Sequence, residues 1–411
     1  MKKFLLLLTL SCIVFQSQAT IRRIGYIGAP VANIDFSYNN MQFAANTAAP
    51  GDTLQIYQQL AVNQVYILEI NKPLTIIGFG HSLNSNSGDQ VINKSDSIIN
   101  KIENLVFSVG SAGSSVQGLN LNSCFIGDSN ITITRCRFKG EYALSTFNAC
   151  GSASPFLYPL TGGMINIQAL NYNLNNIFIN GNYFDLNTYG ASSIICTGTY
   201  TMTNVQITNN YFNGKVNLST GTTGQVYGVF ANNIMNHKFQ HLFELYNHNG
   251  NICSQGPVYP YLPFIQSNFD YFNIKNNIIN TDDTTSCTII APTSIVQNNI
   301  FSIASQYACP SAINSNNIFK ANMTNVFGAS WNDGLVYNDN QLVLGASSPA
   351  LNAGIKENLT ATHCGIFGGE LGQTYKLSGI PSVPSFYQLS TPGLNATTNP
   401  FNVTISVKSN N

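Results

Sequence analysis

The segments NIFINGNYF (residues 176–184) and NVQITNNYF (residues 204–212) are two copies of one pattern. A short strand with alternating apolar residues leads into an Asn pair or a Gly-Asn pair, and a second short apolar strand follows. Shorter copies follow at VFANNI, FNIKNNI, IVQNNIF and INSNNIF, and a degenerate copy, NITITRCRF, precedes them at residues 130–138. Such internal repetition is the signature of a solenoid.

The spacing of the Asn pairs predicts the architecture. The second Asn stands at positions 210, 233, 277, 299 and 317, with intervals of 23, 44, 22 and 18 residues, and we interpret 44 as two turns of 22. About 22 residues accommodate three short strands and three corners, so we predict an all-β, right-handed, single-stranded parallel β-helix. Asn tolerates the left-handed conformation at a corner, and its amide can form a ladder between coils. Leucine-rich repeats are excluded because the Leu pattern is missing.

Both ends of the chain fit this prediction. Residues 39–49 are a helix candidate that would cap the open end of the solenoid, within a cap region at 36–49, and Pro50-Gly51 ends it. Strands are expected at 54–57, 65–68 and 74–77. The β-helix is expected over residues 20–370. Residues 371–411, with a Pro-punctuated connector at 377–384 and a final strand at 403–407, are expected to form a tail or cap.

Three segments carry a resemblance to a known superfamily. AAPGDTLQIY…INKPLTIIGFG (48–80) resembles the opening of pectin-lyase-like right-handed β-helix proteins, and SSPALNAG (347–354) and CGIFGG (364–369) are similar to the way bacterial members close the helix. The resemblance covers about residues 35 to 370. It implies the fold, and it implies a superfamily that includes pectate lyases, polygalacturonases, other polysaccharide lyases and adhesins.

The N-terminus predicts export. Lys2 and Lys3 precede a short apolar run and a small-residue cleavage site at Ala19, so residues 1–19 are interpreted as a signal peptide. A lipoprotein with Cys12 as the lipidated residue is the alternative. No later segment is apolar enough to span a membrane. We therefore expect a secreted, extracellular or cell-surface protein that is monomeric.

Charge and cysteine content narrow the function further. Only 8% of residues are charged and the net charge is zero, which gives no electrostatic basis for binding nucleic acid. Eight cysteines remain if Cys12 is removed with the signal; disulfides are possible, although most cysteines are expected to be free and buried. Cys287 and Cys309, about one coil apart, would stack. Neither a CxxC nor a CxxH spacing occurs in the sequence, so no zinc site is predicted.

One concentrated basic stripe suggests a lyase site. Alternation places Arg135, Arg137 and Lys139 outward on one strand, with Cys136 and Phe138 inward. These cations could bind uronate or sulfate groups, and one could act as a base, with Ca²⁺ as a possible cofactor; otherwise no cofactor is expected. The alternative is an ordinary solvated strand face.

A hydrolase would need carboxylates, and Asp282 and Asp283 are the candidates. The partner motifs of polygalacturonases are missing, and an Asn/Asp/Thr turn is the alternative interpretation.

A further segment predicts ligand binding on a protruding loop. It contains His237, His241, Glu244 and His248, and it continues to the aromatic residues Tyr259, Tyr261 and Phe264, which could stack on sugars. The His cluster could approach a metal-site geometry, but no metal is predicted. An ordinary decorated loop is the alternative.

Two classes of function remain. The low charge and the amide-rich and hydroxyl-rich surface favour a protein that binds extracellular polysaccharide or cell-surface glycan without catalysis. The alternative is a polysaccharide lyase or glycoside hydrolase. Ice binding is discounted because only Thr132 and Thr134 alternate regularly.

Overall fold

The computed structural model describes residues 19–25, 34–57, 67–81, 101–139, 163–169, 172–185, 192–213, 215–218, 224–236, 265–266, 271–280, 289–302, 311–328, 331, 339–369, 374–382, 385–390 and 404–408. The expected signal peptide up to Gln18, Cys12, Cys287 and Cys309 lie outside these residues.

The chain folds as a parallel β-helix, as the repeat predicted. Almost every strand pairs in parallel with the equivalent strand of the next coil. Each coil contributes to three rows of strands, which we call the first, second and third faces. The first face contains Ile21–Gly25, Thr53–Ile56, Thr75–Ile77, Ser115–Gln117, Ile131–Thr134, Leu174–Asn180, Met202–Thr208, Val226–Ala231, Tyr271–Lys275, the end of Ile289–Gln297, and Ser311–Ser315.

The other two faces follow around each coil. The second face contains Arg137–Lys139, Tyr183–Asp185, Tyr211–Phe212, Ile234–Asn236, Ile278–Asn280 and Ile300–Phe301. The third face contains Ile67–Ile70, Lys101–Phe107, Asn120–Ile126, Gly163–Ala169, Ser192–Gly198, Lys215–Asn217, Ile265–Gln266 and the start of Ile289–Gln297.

The remaining elements lie at the ends. The α-helices span Met41–Thr47 and Met323–Phe327, and short 3-10 helices span Tyr38–Asn40, Asp339–Leu342 and Leu377–Gly379. Phe36–Ser37 pairs with the first strand. Two antiparallel pairs join Gly354–Ile355 with Ala361–Thr362, and Ser385–Ser390 with Thr404–Lys408.

The N-terminal helix caps the solenoid, as the sequence predicted. Met41, Ala44 and Ala45, spaced for one helix face, are buried against the main hydrophobic core. The helix ends where Ala48 turns extended, just before the Pro50-Gly51 turn.

The core is a column of inward side chains. Alternation turns every second residue of each strand inside, where Ile, Val, Leu and Phe of successive coils stack. Phe138, Phe184 and Phe212 form a stack with neighbouring ring centroids 4.7 Å apart. Buried apolar area of this kind is the main stabilising term of such a fold.

At the corner between the first and second faces, the two Asn of each pair have different roles. The first Asn takes the left-handed conformation, with φ between 55° and 59° at Asn209, Asn232, Asn276, Asn298 and Asn316. The second Asn points inward and forms a ladder. The sequence predicted both properties but placed them on one residue.

The internal ladder runs through buried amides. Asn210 donates its backbone N–H (2.9 Å) and its side-chain Nδ2 (3.1 Å) to Oδ1 of Asn233 one coil on, and Nδ2 also donates to the Ile179 carbonyl. The same bonds recur along the series Asn182, Asn210, Asn233, Asn277, Asn299 and Asn317.

The ladder corrects one count. Asn233 bonds directly to Asn277 at 2.9 and 3.1 Å, and Val226–Ala231 pairs with Tyr271–Lys275. The interval of 44 residues is therefore one coil with a long insertion after Asn236, and the interpretation as two coils was wrong. The intervals between the Asn pairs do not reveal the insertion, because the second Asn recurs once per coil whatever the length of the coil.

The chain returns along the outside of this corner after the coils end. The described coil strands end at Ser315, although the sequence predicted the β-helix to continue to residue 370. We call residues 353–369 and 374–382 the C-terminal strap, because they run back from the last coils towards the first.

The left-handed Asn side chains bind the strap backbone. Asn276 donates Nδ2 to the Ile355 carbonyl (2.9 Å), and its Oδ1 accepts the Ile355 N–H (3.0 Å). Asn232 donates to the His363 carbonyl, and Asn209 to the carbonyls of Ile366 and Gly368. The pairs that begin at Asn209, Asn232 and Asn276 thus bond inward through their second Asn and outward through their first.

The strap finishes on the early coils. Its Ser378 carbonyl accepts the His81 N–H at 2.6 Å, and Ser382 donates its N–H to Gln117 Oε1. Beneath the strap, a second hydrophobic cluster covers the outer side of the second face, and its members include Tyr183, Tyr211, Ile234, Ile278, Ile300, Met323, Phe327, Trp331, Ile366 and Tyr375.

Candidate functional site

Arg135 of the predicted basic stripe lies at a corner. It takes the left-handed conformation, φ 56°, and the strand begins two residues later at Arg137. Its guanidinium donates to the Ile380 carbonyl of the strap at 3.0 Å, and burial lowers its pKa. Arg135 therefore binds the strap, and it does not share the strand face with Arg137 and Lys139.

Arg137 lies on the outward side of its strand, as predicted, with Phe138 buried inside. Its Nη2 pairs with Asp185 Oδ2 at 2.7 Å, and the guanidinium lies 5.5 Å from the centre of the Tyr183 ring. The Arg137 and Asp185 side chains are 16% and 19% exposed. Lys139 is half-buried and stands opposite Asp185 in the strand register.

His81 completes this group from the early coils. Its ring lies 5.9 Å from that of Tyr183 and packs against strap residue Gly379, where a Cβ would meet the imidazole at 2.6 Å. Burial first, and then the charge of Arg137, hold the pKa of His81 well below its usual value. The basic stripe, His81 and the strap form a closed junction, which we call the strap junction.

The other predicted site residues lie outside the described residues. They are Asp282, Asp283, His237, His241, Glu244, His248, Tyr259, Tyr261 and Phe264. Within the described ranges, no three His, Cys, Asp or Glu side chains stand close enough together to hold a metal ion. The described cysteines, Cys124, Cys136, Cys196 and Cys364, are buried.

The outer side of the first face offers a different arrangement, a row of amides. Asn130 directly precedes the strand Ile131–Thr134, whereas Asn176 and Asn204 each lie at the third position of the strands Leu174–Asn180 and Met202–Thr208. All three are left-handed, with φ of 58°, 56° and 53°. Asn176 Nδ2 donates to Asn130 Oδ1 at 2.8 Å, and Asn204 Nδ2 donates to Asn176 Oδ1 at 2.7 Å. Gln206 extends this row of hydrogen bonds by donating Nε2 to Asn204 Oδ1. This ladder lies outside the coils and is largely exposed.

Two tyrosines extend the row over the next two coils. Tyr227 and Tyr271 are in register and stack with centroids 5.1 Å apart and an interplanar angle of 8°. Tyr271 is 47% exposed, and Tyr227 donates its hydroxyl to Gln225. A register shift between Met202 and Val205 marks the junction of amides and rings. We call Asn130, Asn176, Asn204, Tyr227 and Tyr271 the amide–tyrosine strip.

Few charged side chains lie near the strip among the residues that the structure describes, and Asp128, two residues before Asn130, is buried. The five strands behind the strip, from Ile131–Thr134 to Tyr271–Lys275, contain one charged side chain, Lys275. The adjacent outward row carries Thr132, Phe178, Gln206, Val229 and Asn273, which are also neutral. The strip can therefore offer amide hydrogen bonds and an aromatic surface with little net electrostatic field.

The sequence contained a signal for this strip that the prediction did not use. Both quoted repeats begin with Asn, as does the degenerate copy, each one residue before the first inward Ile or Val of the repeat. The recurrence was visible, but the tyrosine pair required the strand register.

Among the described residues, no helix combines the length and apolar composition needed to cross a membrane. Comparison of the chain with protein-family models, with curated proteins and with solved structures found no match.

Proposed function

We propose that this chain is an exported, secreted or cell-surface β-helix protein that binds extracellular carbohydrate without catalysis. The observation that supports the proposal is the stacked and partly exposed Tyr227–Tyr271 pair in line with the outer amide ladder. Sugars bind to proteins through C–H contacts with aromatic rings and through hydrogen bonds from hydroxyls to amides. Tyr227 and Tyr271 cover one face of each other, so the ring edges and the outer face of the exposed Tyr271 are the parts of the pair offered to a sugar. The pectin-lyase-like resemblance is compatible with this role.

Cleavage of polysaccharide is the alternative. Its described candidates, Arg135, Arg137 and Lys139, lie in or beside the strap junction, where the strap and Asp185 occupy the two arginines. An Arg base must reach the proton that it removes. The arginines of the junction are thus engaged by the strap and by Asp185, whereas Asn130, Asn204 and Tyr271 of the strip are exposed.

The test is binding and cleavage by the purified protein on immobilised xylan, mannan, cellulose, chitin and polygalacturonate, with and without Ca²⁺. Retention on at least one polymer is expected, with no unsaturated ends and no new reducing ends. Tyr271→Ala should weaken retention about tenfold. Leu359→Ala is the control, since Leu359 is an exposed apolar side chain of the strap and not a member of the strip. Retention unaffected by Tyr271→Ala, or cleavage products, would overturn the proposal.

A further inference from the structure

The direction of the amide–tyrosine strip carries information on its ligand. Its five members come from strands that pair in parallel one coil after another, with hydrogen bonds joining the three amides and a register shift between Asn204 and the two tyrosines. Parallel strands are about 4.8 Å apart, so the strip spans roughly 20 Å along the helix axis. A ligand that crosses the axis meets one rung, whereas a ligand parallel to the axis meets all five.

The hydrogen-bonding capacity of the strip favours hydroxyl groups. A side-chain amide has two N–H donors and two acceptor lone pairs. Asn204 uses one donor towards Asn176 and one lone pair towards Gln206. One donor and one acceptor remain on an exposed side chain, and a sugar hydroxyl, which both donates and accepts, can use the two together.

The charge around the strip disfavours acidic polymers. A uronate or sulfate chain carries a negative charge on nearly every unit and is bound most strongly by charge-assisted hydrogen bonds, and the strands behind the strip supply only Lys275. The more numerous cations of the chain's middle coils, Arg135, Arg137 and Lys139, lie at the strap junction or beside it.

From these three observations we infer that the strip binds an uncharged, extended polysaccharide that lies parallel to the helix axis, with about one sugar unit for each coil. This inference rests on the proposed function and specifies its ligand. Tyr227 and Tyr271 contact the units at one end, and Asn130, Asn176 and Asn204 contact the units towards the other.

The test is the affinity of the purified protein for neutral xylan, mannan, cellulose and chitin oligosaccharides, from disaccharides to octasaccharides, compared with oligogalacturonates. Affinity for a neutral series should rise with length and level off at about five units. Asn204→Gly keeps the left-handed backbone and removes the side-chain amide. It should lower the affinity for the longer oligosaccharides about two- to tenfold. Asn352→Gly is the matched control, because Asn352 is exposed and left-handed, φ 57°, in the segment that leads into the strap.

The outcomes separate this inference from the proposed function. Disaccharides that bind as tightly as hexasaccharides, or oligogalacturonates that bind more tightly than neutral chains, would overturn the inference while carbohydrate binding stands. An Asn204→Gly protein with unchanged affinity would also overturn it. Absence of binding to every oligosaccharide and polymer would overturn both.

Discussion

The side-chain amide of Asn276 both donates to and accepts from the backbone of Ile355, 79 residues further along the chain. The two bonds reproduce the paired N–H and C=O bonds between neighbouring β-strands. The side chain of a left-handed corner residue therefore binds the strap in the way that the backbone of a neighbouring strand would. Asn is suited to the position because its short amide presents a donor and an acceptor while its backbone tolerates positive φ.

Removal of this amide should destabilise the protein. We expect Asn276→Gly, which keeps the backbone conformation, to lower the free energy of unfolding by about 1–3 kcal/mol, because the half-buried Ile355 N–H and carbonyl lose their partner. Chemical denaturation measures the difference. Asn316→Gly, at an exposed left-handed position with φ 55°, is the control and should have a smaller effect. Equal losses in the two variants would contradict the role assigned to Asn276.

The internal ladder should be more sensitive at its middle than at its end. We expect Asn233→Ala to lower the free energy of unfolding by at least about 2 kcal/mol, because the Asn210 N–H and the Ile207 carbonyl are left buried without this partner. Asn317→Ala, at the last rung and half-buried, should cost less. Urea denaturation of both variants gives the comparison, and a costlier Asn317→Ala would show that position in the ladder does not matter.

The strap junction should make stability depend on pH. His81 is buried beside Arg137 and Tyr183, and its pKa lies well below 6.5, so the folded state excludes the protonated ring. The contribution is fully present above pH 6.5 and is lost as the pH falls below it, by about 1.4 kcal/mol per unit until the folded pKa is reached.

His81→Gln should remove this slope. The difference in unfolding free energy between wild type and His81→Gln, followed from pH 7.5 to 5.5, isolates His81 because the other titrating groups are shared. A difference that stays constant over this range would show that His81 has the same pKa in the folded and unfolded states, and it would contradict the role assigned to its burial.

Arg137 should contribute to stability and not to binding. We expect Arg137→Gln to lower the free energy of unfolding by about 1–3 kcal/mol, since it leaves the half-buried Asp185 carboxylate without its ion pair. Adding Asp185→Asn should recover part of the loss. Polysaccharide retention should be unchanged. If Arg137→Gln lost polysaccharide retention while keeping wild-type stability, the basic stripe would be part of the ligand-binding site.

Much of the fold was readable from the sequence because the Asn pairs recur with the coil. The alternation around Ile177 and Ile179 identified the inward faces, and Pro50-Gly51 located the end of the cap helix. The insertion after Asn236 was misread because an interval of 44 residues fits either one coil or two. The partners of Arg135 were out of reach, since Ile380 is 245 residues away and contributes only a backbone carbonyl.

The strap also limits how this protein can evolve. A solenoid ordinarily lengthens by duplicating a coil, because each unit needs only its neighbours. Here one segment is fastened to Asn276 near one end and to His81 near the other, so an extra coil between them would move the two anchors apart by about 4.8 Å. The strap acts as a ruler, and any change in the number of coils it spans requires a matching change in its own length.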